Sequence, residues 1–171
     1  MDFYESDLED IIWECLQSEQ GLQSLDSKGL LISTPKKAFR QLRIGNYGIA
    51  DIVTVEKDCI QFEDAVHPSL NITVFELKKD QIKLDTLVQV FRYMKGIRDY
   101  FNRRGYHIGE YNIRGVLIGR SINDGDWVYL AEGVNELVDF YTYNYHIDGM
   151  HFESHNMQYH LIDDGFKIDN E

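Results

Sequence analysis

Three polar positions on two apolar runs hold the chemistry of this chain. Asp51 follows Gly48-Ile49-Ala50, and Glu76 and Lys78 sit in Asn71-Ile72-Thr73-Val74-Phe75-Glu76-Leu77-Lys78. Two carboxylates can hold a divalent cation. A lysine two residues from one of them can polarise or deprotonate a water. That combination suits metal-dependent phosphodiester cleavage. A charged pair inside an apolar run is costly unless a metal or a mutual ion pair compensates it. Gln89-Val90-Phe91-Arg92-Tyr93 follows on a helix pattern, and Gln89 and Tyr93, at i and i+4, face the same way.

The elements that must position these groups follow from periodicity. Leu8, Ile11, Ile12, Cys15 and Leu16 recur at helical spacing, which predicts a helix over Glu5–Ser18, and Ser6-x-x-Glu9 has the form of a capping box. Gly21–Ser33 reads as irregular. Strands are expected at Ala38–Ile44 and Ile49–Glu56, separated by the turn Gly45-Asn46-Tyr47-Gly48. A short strand at Cys59–Phe62, a loop over Glu63–Leu70 and a strand at Asn71–Lys79 follow. In strand geometry Asp51, Val53 and Val55 share one face, as do Glu76 and Lys78. If the two strands are neighbours, the three side chains converge.

Leu84–Arg103 predicts a helix about 30 Å long. Its apolar stripe is Leu84, Leu87, Val88, Phe91, Met94, Ile97 and Phe101, and Gly105 ends it. Strands follow at Asn112–Ile122 and Trp127–Leu130, then a hairpin of Val138–Ile147 and Met150–His155 around Asp148-Gly149. The order is mixed α/β, with the site on the central hairpin.

The chain has 171 residues, which predicts a single domain with its own core. No apolar run approaches membrane-spanning length, so no membrane association is expected. The start Met1-Asp2-Phe3-Tyr4-Glu5 lacks the basic region of a secretory leader, and Cys15 and Cys59 are too few for a disulfide framework. A reduced, cytoplasmic protein is the expectation. The net charge of −12 argues superficially against a nucleic-acid partner, but its distribution is uneven. Residues 1–27 hold eight acids and no Lys or Arg, and residues 121–171 hold eleven acids and only Lys167. Residues 28–120 hold sixteen Lys and Arg against ten acids. Lys79, Arg92, Lys95 and Arg98, with Arg43 before the Asp51 strand, are the candidate phosphate contacts. A solvated helix face would show the same cluster.

The ordered set Asp51, Glu76-Leu77-Lys78 and Gln89-x-x-x-Tyr93 resembles the PD-(D/E)XK nuclease superfamily, in the style of RecB-type members with a Gln-x-x-x-Tyr helix. Glu5-Ser6-Asp7-Leu8-Glu9 and Gly48-Ile49-Ala50-Asp51 are also similar to the catalytic domain of NucS-like archaeal endonucleases. The resemblance covers about residues 5–120 and leaves a β-rich extension over about 121–160. It implies a restriction-endonuclease-like mixed sheet flanked by helices. It also implies a role for each matching residue. Asp51, Glu76 and the Leu77 carbonyl would bind Mg2+ or Mn2+, and Lys78 would activate water. Gln89 would orient the site and Tyr93 would support it. Glu5 would complete it from the first helix, with Glu9 one turn away as a further acid. Two departures stand out. Ala50 replaces the common proline before Asp51, and the interval to Glu76 is long, with the excess assigned to Cys59–Leu70.

The implied activity is hydrolysis of DNA, with endonuclease action favoured over exonuclease. The alternative is a non-catalytic nucleic-acid- or protein-binding member of the same fold, whose acidic ends would suit a protein partner or a second copy. In the tail, His151, Glu153 and His155 share a strand face near His146 and His160, but their spacing matches no common zinc motif.

Overall fold

The computed structural model describes residues 4–62, 65–107, 109–123, 125 and 137–155. Helix α1 (Glu5–Cys15) begins one residue before Ser6, because the Asp7 carboxylate takes the backbone N–H of Tyr4 at 2.7 Å. The expected Ser6-to-Glu9 box is therefore replaced by one shifted towards the N-terminus. The helix also stops three residues short of Ser18. A second helix, α2 (Glu19–Ser27), occupies part of the stretch read as irregular. Ser18 caps it by accepting the Gly21 N–H at 3.0 Å, and Leu22 and Leu25 are buried. Only two apolar positions mark this helix, too few for a visible period. Gly21 reflects packing: a Cβ there would lie 2.2 Å from the Cys15 carbonyl oxygen.

Strands β1 (Lys37–Arg43), β2 (Ile49–Phe62) and β3 (Ala65–Leu77) form an antiparallel meander, with the 3₁₀ turn Gly45–Tyr47 between the first two. The break expected between Ile49–Glu56 and Cys59–Phe62 and the loop expected over Glu63–Leu70 are largely strand. Their residues extend the β2–β3 hairpin as an arm, in which Pro68 pairs with Cys59. Proline is tolerated because, among the described residues, β3 has no strand neighbour on its other side at that point; pairing with β5 (Tyr111–Gly119) starts at Leu70. The arm accounts for the long interval between Asp51 and Glu76.

A two-stranded accessory sheet pairs β4 (Gln81–Ile82) with β6 (Ser121–Ile122). Helix α3 (Leu84–Arg103) crosses over between β3 and β5, which run parallel. Strand β7 (Val138–His146) joins parallel to β5, and β8 (Gly149–Ser154) returns antiparallel as the expected hairpin. The tail hairpin is thus part of the main sheet, whose order is β1-β2-β3-β5-β7-β8. The strand expected at Trp127–Leu130 lies outside the described residues.

Two cores sandwich the sheet. On one face α3 buries Leu87, Val90, Tyr93, Met94 and Ile97 against Val53, Ile72, Val74, Leu117 and Phe140. On the other, α1 and α2 bury Leu8, Ile12, Leu22 and Leu25 against Ile52, Phe75, Leu77 and Ile118. Each fully buried aliphatic or aromatic side chain contributes about 1.5–3 kcal/mol. The buried stripe of α3 is rotated from the expected one: Leu84 and Val88 are exposed, while Val90 and Tyr93 are buried. The rotation directs Tyr93 at the sheet. The mixed sheet with helices on both faces agrees with the restriction-endonuclease-like arrangement expected from the motif order. Among the described residues no helix is long and apolar enough to cross a membrane.

Candidate active site

The β2–β3 ladder ends at Ile52↔Phe75. One step further, Asp51 and Glu76 stand opposite each other, but the strands part there. Strand β2 stays with β1 to Arg43↔Ile49, and β3 stays with β5 to Leu77↔Ile118. The Asp51 carboxylate fills the fork by accepting the Leu77 N–H at 2.8 Å. Val53, Ile72 and Val74 face α3 while Ile52, Phe75 and Leu77 face α1 and α2. By alternation, Asp51 and Glu76 emerge together on the α3 side. The N–H and C=O of one strand residue point to the same edge, so the Leu77 carbonyl also faces the fork.

Glu76 is only 1% exposed. Its Oε1 accepts from Lys78 Nζ at 2.7 Å, and its Oε2 is buried without a hydrogen-bond partner among the described residues. Burial, then the Asp51 charge, raises the Glu76 carboxyl to about 7, despite the opposing effect of Lys78. Asp51 is also raised, by burial first, against the Leu77 N–H and Lys78, with Glu9 and Glu5 adding to the rise. For Lys78, burial favours the neutral form, but Glu76, Glu5 and Asp51 outweigh it and hold the ammonium above its ordinary range.

From α1, Glu5 reaches the same end of the sheet. It lies 3.7 Å from Lys78 Nζ and accepts the Lys79 N–H at 3.2 Å. Glu9, nearly buried, accepts from the Arg40 guanidinium and, at 2.7 Å, from Gln41 Nε2. The same Gln41 nitrogen donates to Asp51 at 3.2 Å. Gln41 lies opposite Asp51 in the β1–β2 register and has φ of 49°, in the left-handed region. That conformation costs roughly 1–2 kcal/mol for an L-residue, and it turns the amide towards two carboxylates at once. Sequence reasoning missed Gln41, because a glutamine in a strand has no motif; its only cue was the position ten residues before Asp51.

On α3, Gln89 donates to the Tyr93 hydroxyl at 2.8 Å. Burial raises the Tyr93 hydroxyl above its ordinary range, with the Glu76 and Asp51 charges adding to the rise. Tyr93 explains Gly48: a Cβ there would meet the ring at 2.7 Å, and φ is 122°. The fold thus gathers Asp51, Glu76, Lys78 and Glu5, with Gln89 and Tyr93 closing the α3 side and Glu9 linked through Gln41.

No family model matches this chain, and no curated protein matches it. A solved structure described as a repair endonuclease from Pyrococcus abyssi is similar over 82% of this chain and 46% of that one, at 18% identity and a TM-score of 0.44. This chain spans less than half the length of that protein.

The expected phosphate contacts are scattered. Arg92, Lys95 and Arg98 are exposed on α3, away from its buried stripe. Lys95 is tied to Asp99 at 2.8 Å and lies over the Tyr47 ring. Lys79 sits over the Tyr4 ring, and Arg43 lines a groove between β1 and α3. In the tail, His151 pairs with Asp148 at 2.9 Å and His155 with Thr142 at 2.7 Å. Among the described residues no group of three or more His, Cys, Asp or Glu is arranged to hold a metal. The donor set at the fork is two carboxylates and a carbonyl.

Proposed function

We propose that this chain is a metal-dependent nuclease that hydrolyses phosphodiester bonds of DNA. The observation that carries the reading is Glu76 Oε2: a carboxylate oxygen buried without a partner among the described residues, opposite a second carboxylate at a strand fork. Buried polar atoms in native proteins are nearly always satisfied, and a bound ion is one way of satisfying them. Hard oxygen donors fit Mg2+ or Mn2+. Asp51, Glu76 and the Leu77 carbonyl would hold the ion. When bound, it would supply Lewis-acid stabilisation of the anionic charge that develops on the phosphate.

The remaining work falls to side chains. The Leu77 N–H and Gln41 fix the Asp51 carboxylate, so little reorganisation is needed. Lys78, held as an ammonium by Glu76 and Glu5, donates rather than accepts. In this arrangement it orients the attacking water and stabilises negative charge, rather than taking a proton. Gln89 and Tyr93 limit where the substrate strand can lie. Cleavage of labelled DNA in Mg2+ or Mn2+ tests the reading. Product formation that stops with chelator and with Lys78→Met supports it, and no cleavage of any DNA with either cation refutes it.

A further inference from the structure

The fork and α3 carry separate parts of the site, and a short turn ties them together. The chain passes from β1 to β2 through Ile44–Gly48. The Ile44 N–H donates to the Gly48 carbonyl at 2.8 Å and the Tyr47 N–H to the Ile44 carbonyl at 2.9 Å. Asp51 follows three residues later. On α3, Gln89, Tyr93 and Gly96 recur at i, i+4 and i+7 and share one face. The turn meets that face at two glycines. Gly48 lies against the Tyr93 ring, and Gly96 lies against Ile44 and Tyr47. A Cβ at Gly96 would stand 2.6 Å from the Ile44 side chain and 2.7 Å from the Tyr47 ring. Glycine in mid-helix costs about 1 kcal/mol relative to alanine, so Gly96 reflects this close approach rather than helix formation.

A third contact is directional. The Tyr47 hydroxyl donates to Asp99 Oδ2, and the exposed Lys95 meets the same oxygen at 2.8 Å. Lys95 first, then Tyr47, holds the Asp99 carboxyl below its ordinary range. The acceptor is therefore a carboxylate, and a bond to an ionised group is stronger than a neutral one. From Tyr93 to Asp99 the helix rises about 9 Å. Apolar contacts tolerate a small slide along that span. A hydrogen bond does not, because it weakens steeply as it lengthens or bends. Movement of α3 along its axis would break the Tyr47–Asp99 bond and carry Gln89 and Tyr93 away from Asp51 and Glu76.

We propose that Tyr47 and Asp99 are positioning residues of the site: their bond locks α3 against the turn that leads into Asp51, and so sets where Gln89 and Tyr93 stand beside the fork. The proposal rests on the nuclease reading for what the site does, but half of its test needs neither metal nor DNA. Cross-relaxation between the Gly48 Hα and the Tyr93 ring protons is measured by nuclear magnetic resonance in the metal-free full chain, well below melting. Cleavage of DNA in Mn2+ gives kcat and KM. Tyr47→Phe, which keeps the ring, and Asp99→Ala should each weaken the Gly48–Tyr93 contact. Each should lower kcat about tenfold, as a small misplacement of reacting groups does, with KM and Mn2+ affinity unchanged. Asp99→Asn still offers an oxygen to the Tyr47 hydroxyl but not a charge to Lys95, and it should restore what Asp99→Ala loses. If Asp99→Ala does not fold, Tyr47→Phe decides the matter. An unchanged contact in folded Tyr47→Phe would overturn the lock. So would an Asp99→Asn variant as impaired as Asp99→Ala, since the Lys95 ion pair would then be the cause. A parent protein that cleaves no DNA would overturn the catalytic reading, and the Gly48–Tyr93 contact would still decide the lock.

Discussion

Lys78 Nζ lies 2.7 Å from Glu76 Oε1, two residues away on the same strand face, and this pair is what lets a carboxylate sit 1% exposed at the end of β3. The lysine satisfies one oxygen and leaves the other empty-handed. A purely structural ion pair would satisfy both, since a buried charge is tolerated only when its hydrogen-bonding capacity is filled.

Glu76 should make the metal-free protein less stable as pH rises. Its folded-state carboxyl, at about 7, lies above its ordinary 4.5, so the folded protein binds the proton more tightly than the unfolded chain. The associated stability is fully present below about 4.5 and is lost as pH rises through about 7. It amounts to at most about 3 kcal/mol. Denaturant melts between pH 5 and pH 8 should show the decline, and Glu76→Gln should flatten it. Because a cation and a proton compete for this carboxylate, Mn2+ affinity should rise by up to about tenfold per pH unit below about 7. A flat stability profile in the parent would show that Glu76 ionises freely.

Lys78→Met should destabilise the protein in a pH-dependent way. A strand-end lysine alone contributes little to a core, but here its loss leaves a buried carboxylate without compensation. The cost should reach about 1–3 kcal/mol at pH 8, below the cost for a fully buried pair because the lysine is partly exposed. It should shrink at pH 5, where Glu76 is protonated. The double variant Glu76→Gln with Lys78→Met should recover most of that loss, and additive losses at pH 8 would show that the two residues are not coupled.

Gln41 should control the site without touching a substrate. Gln41→Gly suits the left-handed backbone and removes only the amide that bridges Glu9 and Asp51. It should be at least as stable as Gln41→Ala, by roughly 1 kcal/mol. Both variants should lose about 10–100-fold in Mn2+ affinity, as removal of a group that orients a metal ligand commonly does. Unchanged affinity in the glycine variant would reduce Gln41 to a feature of the β1 bend.

Much of this site was legible in the sequence because its parts sit on strongly periodic elements. Alternation placed Asp51 with Val53 and Glu76 with Lys78, and the i, i+4 spacing placed Gln89 with Tyr93. Lys78 and Glu76 do meet, as do Gln89 and Tyr93. What stayed hidden depended on tertiary contact. Helix α2 carries only two buried leucines. The β2–β3 arm contains His67-Pro68, which reads as a turn until the open side of β3 is known. Gln41 owes its role to one backbone angle and two carboxylates from distant positions, and the rotation of α3 is set by the sheet beneath it rather than by its own apolar residues.

Direct titration of Mn2+ into the full chain at pH 8, followed by calorimetry, is the measurement that bears most closely on the fork. One cation site should appear in the parent and vanish in Asp51→Asn and in Glu76→Gln. Both variants should keep their folded spectra, since each removes a buried charge and leaves the side-chain shape. Stoichiometry and affinity unchanged by both substitutions would mean that Asp51 and Glu76 do not hold a metal, and the nuclease reading would fall with them.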